Sequence, residues 1–185
     1  DFKPASPATI LFGLFMLWWG WIGFNCGSSF GITKDKWLVA TRAGVSTINA
    51  TAGGGFAALL YTSVKSRGNV LLPSEIANGM LGALVAITAT CASVHTHASL
   101  IIGFIGAICA LAANDLIFRW GLDDPVGAVG VHGASAIWGL AAVGLFADSE
   151  LPGIQVANGL FCGGSARLLG VQMLMAISIV AWSLL

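Results

Sequence analysis

From Thr9 to Ser29, and again from Leu168 to Leu185, the chain carries no charged side chain. A helix crossing the roughly 30 Å hydrocarbon core of a bilayer needs about 20 apolar residues, so uncharged runs of this length limit the fold more than any other feature. Composition agrees. Of 185 residues, 57% are hydrophobic and 9% charged, against about 25% charged in a soluble domain. So few charges cannot cover a water-facing surface. A disordered segment and a nucleic-acid binder with a basic face are excluded on the same ground. Eight Lys and Arg balance eight Asp and Glu.

Six candidate spans follow, at about 9–29, 37–61, 76–93, 98–119, 125–146 and 168–185. Most of the charge falls between them, as Lys34-Asp35-Lys36, Lys65-Ser66-Arg67, Asp123-Asp124 and Asp148-Ser149-Glu150. Backbone groups in lipid must be paired internally, which allows helices or a closed barrel. Runs this long without period-two alternation predict helices, because barrel strands have about 10 residues. Small residues crowd the spans: Ala50, Ala52 and Gly53-Gly54-Gly55; Gly103, Gly106, Ala107 and Ala110; Gly127, Gly130, Gly133 and Ala134. They let helices approach closely where no hydrophobic force acts between them. The expected fold is all-α, a tightly packed polytopic transmembrane bundle. Charge does not orient it: Lys3, Lys65, Arg67 and Arg119 fall on one side, Lys34, Lys36, Arg42 and Arg167 on the other. The chain starts at Asp1 rather than Met and stops inside an apolar run, as a piece of a longer protein would.

The fifth span is the most informative. Asp123-Asp124-Pro125 reads as a helix cap followed by Pro at the first helical position. At about 1.5 Å per residue, His132 then lies about 12 Å along the helix, near mid-membrane. An ionisable residue at that depth usually marks a pathway or relay; its bland alternative is a hydrogen bond to a neighbouring helix. In the first span, Phe24 and Ser28 share a helix face. A ring face attracts a small cation and a hydroxyl oxygen accepts its hydrogen bond, although an interfacial aromatic belt explains the same residues. His95 and His97 lack further ligands at metal spacing and read as solvated loop histidines. Cys26, Cys91, Cys109 and Cys162 read as small buried hydrophobes. No metal site, cofactor site or hydrolase, P-loop or zinc-protease motif is present in the sequence, and nothing argues for an enzyme.

Two segments go beyond spacing. Gly20-Trp21-Ile22-Gly23-Phe24-Asn25-Cys26-Gly27-Ser28 resembles the GWFGFNxGS segment of the ammonium transporter (Amt/Mep/Rh) family, and Asp123-Asp124-Pro125 through Val131-His132-Gly133 resembles its DDPxxxxxVHG segment. Asn78-Gly79 through Thr88 and Cys91 is similar to the stretch between them. The Asp-Asp-Pro form favours the Amt branch. The resemblance implies a fold of eleven helices in two inverted halves plus a last helix, of which 1–185 is a single partial domain: the second repeat and part of the last helix, six of eleven. It implies a multi-pass protein of the plasma membrane, a homotrimer with one pore per subunit, and a start on the cytoplasmic side.

By the same resemblance His132 matches the second histidine of the pore pair, Phe24 one of two gating phenylalanines, and Ser28 the hydroxyl of the outer recruitment site. Leu17, one turn below Trp21, and Thr88 match pore-lining positions, with Trp21 beside them. Gly127 and Ala128 depart from those members that have a second acidic residue there, and His95-Thr96-His97 replaces a more usual acidic-Pro-Trp or Gly-rich stretch. The expected function is conduction of ammonium or ammonia, with methylammonium as analogue: recruitment outside, deprotonation, and passage of ammonia through a hydrophobic histidine-lined pore. An ammonium sensor on the same fold is the alternative. An acyl-transfer enzyme using His132 would need a hydroxyl or acidic partner at its depth, and the fifth span offers only Ser135.

Overall fold

The computed structural model describes residues 6–68 and 71–185, and every regular element among them is helical. Lys3, used above in the charge comparison, lies outside the described residues. Helix α1 is Pro7–Gly27. Ser6 caps it, its hydroxyl accepting from the Thr9 N–H at 3.4 Å, and Pro7 sits in the first turn where its missing N–H is harmless. Helix α2, Lys36–Lys65, has 30 residues. Helix α3, Pro73–Thr88, again opens on Pro, with Glu75 in its first turn facing the positive end of the helix dipole. Helices α4, α5 and α6 are Ala98–Arg119, Val129–Phe146 and Ala166–Ser183. The helices α1, α4, α5 and α6 are long and apolar enough to cross a membrane.

Three bounds differ by four residues or more from those read in the sequence. The third helix stops at Thr88 instead of continuing to position 93: the Thr90 and Ser93 hydroxyls bond to the Ile87 and Thr90 carbonyls at 3.2 and 3.3 Å, which competes with helix continuation. The second runs past Tyr61 to Lys65, whose ammonium bonds Glu75 and Asp115 at 2.6 Å each, tying α2 to α3 and α4. The fifth begins at Val129 instead of Pro125.

Helices α2, α3 and α4 form the centre. Helix α1 packs on α2 and α3, α5 on α3 and α4, and α6 on α5. Glycines set the spacing. A Cβ at Gly79 would come within 2.6 Å of the Ala58 Cβ, one at Gly82 within 2.6 Å of Ala110 and one at Gly139 within 2.6 Å of the Ala86 carbonyl oxygen. The Gly103 backbone rests directly on Ala50. Buried threonines Thr47, Thr51 and Thr62 return their hydroxyl protons to carbonyls one turn back at 2.7–2.8 Å, which satisfies these three hydroxyls within α2 itself. Gly127 against Asn78 and Gly139 against Ala86 make α5 parallel to α3. Leu14 and Leu17 share a cavity with Asn78 and Leu81, and further along Trp21 meets Thr88, so α1 is parallel to α3 as well. Helix α3 is thus the floor of a groove whose walls are α1 and α5, whose backbones do not approach each other closely among the described residues.

Candidate functional site

Leu17, Trp21, Phe24 and Ser28 follow one another at i, i+4, i+7 and i+11, a single stripe on α1. Leu17, Phe24 and Ser28 are exposed, Phe24 to 61%, while Trp21 is half-buried. The indole Nε1 of Trp21 donates to Thr88 Oγ1 at 2.7 Å, and Thr88 donates in turn to the Leu84 carbonyl at 2.7 Å. Two of the sequence-predicted residues are thereby joined across α1 and α3. Ser28 donates to the Phe24 carbonyl at 2.8 Å. Its proton is committed, so the oxygen faces any ligand as an acceptor. Asn25, to which the sequence reading gave no role, is buried and donates to Thr47 Oγ1 at 2.9 Å, pinning α1 to α2.

Lower in the groove a cavity of about 490 Å³ is lined by Leu14 and Leu17 of α1, Asn78 and Leu81 of α3, and Val126 ahead of α5. Here the expected cap is corrected. Pro125 is not at the first helical position. Gly127 takes φ +72°, and the chain turns there before α5 starts. A side chain at Gly127 would meet the amides of Asn114 and Asn78, so glycine is required by space as well as by backbone angle. Asp123 is exposed and accepts no hydrogen bond among the described residues. Asp124 alone does the capping: its two oxygens accept from the N–H groups of Ala128 and Val129 at 2.9 and 2.8 Å.

His132 therefore lies in the first turn of α5 instead of about 12 Å along it. It still stands between the levels of Asn78 and Gly82, near the middle of α3, because the Gly127 turn covers the lower part. The turn that carries it, Val129–Ala134, is π-helical. The His132 side chain is exposed, and its ring has no hydrogen-bond partner among the described residues. It is not the interhelical bond that the bland reading required. Ser135 is fully buried and donates to the Gly106 carbonyl at 2.9 Å, not to His132. An acyl-transfer pair is not assembled.

At the far end of the bundle the loop histidines are more organised than solvated residues would be. His95 Nε2 lies 2.8 Å from Asp148 Oδ2, and the His97 ring stacks on His95 at 5.3 Å. The Asp148 N–H donates to the Ser93 carbonyl at 2.9 Å. Arg42 closes the same junction, donating to the carbonyls of Ala92 and Pro152 at 2.8 Å each. The Glu150 N–H, 2.8 Å from Asp148 Oδ1, holds the Asp148 carboxyl below its ordinary range. Burial opposes this and His95 adds to it. Among the described residues no three His, Cys, Asp or Glu side chains form a metal-binding group, and all four cysteines are free.

A helical bundle with four bilayer-length apolar helices and a groove between two parallel walls is an integral membrane protein. The family model for the Ammonium Transporter Family matches residues 1–185, and the chain belongs to that family. A Caenorhabditis elegans relative bearing an ammonium-transporter name is 40% identical over 184 residues, covering 98% of this chain and 26% of its own length. Two solved structures share the fold. Candida albicans Mep2 superimposes with a TM-score of 0.83 at 27% identity, over 98% of this chain and 39% of its own. A protein described as Sensor Amt Protein gives 0.83 at 30% identity, over 97% and 42%. The chain thus spans well under half the length of these relatives.

Proposed function

We propose that the protein to which this chain belongs conducts ammonium across a membrane, and that the groove along α3 is one wall of its path. The observation that carries the reading is the pairing of the α1 stripe with His132. An exposed aromatic ring and an acceptor hydroxyl stand at the upper end of one wall, and an exposed imidazole without a protein partner stands at mid-height of the other. An ammonium ion is drawn to the Phe24 ring face and donates to Ser28. Entering the apolar groove as an ion costs many kcal/mol, so the ion gives up its proton to water at the groove mouth near Phe24. Ammonia then passes Trp21, Thr88 and Leu17 and exchanges hydrogen bonds with the nitrogens of His132.

The family supports ammonium as substrate. In this reading the working unit is a multi-pass homotrimer in the plasma membrane, surrounded by lipid, with further helices completing each pore. The test is methylammonium uptake by the full-length protein in liposomes. His132→Ala should change rate and discrimination against potassium, and Phe24→Ala or Ser28→Ala should raise the half-saturating concentration. Unchanged rate and selectivity in His132→Ala refutes the role given to that residue. The resemblance to the Sensor Amt Protein favours a second reading, an ammonium sensor on the same fold. Saturable ammonium binding with no flux in the same liposomes would select it.

A further inference from the structure

Helix α5 does not start as an ordinary α-helix. Val129–Ala134 wind as a π-helix, and the Ser135 N–H reaches back to the Gly130 carbonyl, five residues before it. A π turn takes up one residue more than an α turn, is rare, and collects at functional sites. Nothing in the local sequence favours it, so contacts from outside α5 have to hold it.

Those contacts come from α4, at both ends of the turn. At the lower end Gly130 lies against Ala110 and Asn114, and a Cβ there would stand 2.5 Å from the Ala110 carbonyl oxygen. At the upper end Ser135 donates to the Gly106 carbonyl at 2.9 Å and also lies 3.4 Å from the Gly130 carbonyl. One hydroxyl thus fastens the turn to its neighbour and to its own start. Helix α3 leaves room for it: a Cβ at Gly82 would come within 2.9 Å of Ser135 Oγ and 3.0 Å of the Gly106 oxygen. Ser135 is completely buried, so water does not replace the bond. Between these two fixed points the turn exposes His132.

We propose that Ser135 is the positioning residue for His132: its hydroxyl keeps the Val129–Ala134 turn π-helical against α4 and thereby sets the direction of the imidazole. This rests on the reading that His132 lines the conduction path. Relaxing a π turn to an α turn removes one residue from the winding, equivalent to a rotation of about 100°. His132, on the near side of Ser135, would be carried with that rotation out of its place beside α3.

The experiment is Ser135→Ala in the full-length protein in liposomes, normalised to folded protein, with two readouts. One is ammonium flux and its discrimination against potassium. The other is the rate at which diethyl pyrocarbonate modifies His132, followed on its peptide by mass spectrometry, with His95 and His97 as internal references. The expected results are a fall in flux per molecule of about tenfold, the rate equivalent of one lost buried hydrogen bond, a loss of discrimination, and a several-fold change in His132 reactivity with His95 and His97 unaltered. Ser135→Cys, which keeps a weak donor, should recover part of both readouts. If Ser135→Ala does not fold, Ser135→Cys against the wild type reads the same two quantities. Wild-type reactivity of His132 in the serine variants overturns the proposal. Should His132→Ala itself leave flux and selectivity unchanged, the transport role of His132 falls, and the reactivity measurement still decides whether Ser135 positions the ring.

Discussion

Among the described residues the hydrogen bond between Trp21 and Thr88 is the one side-chain hydrogen bond that joins the α1 stripe to the groove floor. Thr88→Val removes the acceptor while nearly conserving shape. The indole N–H is then left half-buried without a partner. The Leu84 carbonyl loses only its second donor, because the helix N–H remains. An interhelical hydrogen bond in a membrane protein contributes about 0.6 kcal/mol on average and up to about 1.7. At 2.7 Å and part-buried, this one belongs in the upper half of that range, about 1 kcal/mol. A double-mutant cycle isolates it: wild type, Thr88→Val, Trp21→Phe and the double variant, each unfolded by titrating sodium dodecyl sulfate into mixed micelles. The expected coupling is about 1 kcal/mol, with Trp21→Phe costing more than the coupling because it also removes apolar ring area. A coupling below about 0.3 kcal/mol, the scatter expected of independent sites, would refute the claim that this bond ties α1 to α3.

Two further outcomes follow from the packing and the loop junction. Gly103→Leu should destroy folding, since even a Cβ overlaps the Ala50 backbone, whereas Gly20→Ala, with open space around it, should be neutral or stabilising by up to about 1 kcal/mol; recovery of monodisperse protein by size exclusion separates the two. Asp148 titrates below its ordinary range in the folded protein, so its contribution to stability is complete above that range and is lost as pH falls through the lowered value. Asp148→Asn should flatten that acid limb of a thermal-stability profile, and an unchanged limb would contradict the hydrogen bonds assigned to it.

Much of the bundle was legible because its signals are local. Uncharged runs mark the spans, and the small residues picked out in them include Gly53, Gly54, Gly103 and Gly106, each of which lies close against another helix. The start of α5 was misread because Asp124-Pro125 is locally a good cap. The deciding features are the positive φ of Gly127 and the reach of the Asp124 carboxylate to Ala128 and Val129. The π turn has no local signature, since its fastening is a bond from Ser135 to another helix. His95 looked solvated because its partner, Asp148, is 53 residues away in the chain. Spacing puts Phe24 and Ser28 on one face, and the resemblance supplies Leu17 and Trp21, but the bond from Trp21 to Thr88 spans 67 residues and only the fold brings it together.

The claim on which the account turns is that position 132 faces the path of the substrate. It is tested most directly by blocking the path there. In the full-length protein with its native cysteines replaced, His132→Cys is reconstituted in liposomes and treated with a bulky methanethiosulfonate, and residual methylammonium flux is followed as labelling proceeds. The account predicts that flux falls in proportion to the fraction labelled and returns when the disulfide is reduced. Complete labelling of position 132 with flux undiminished would contradict it.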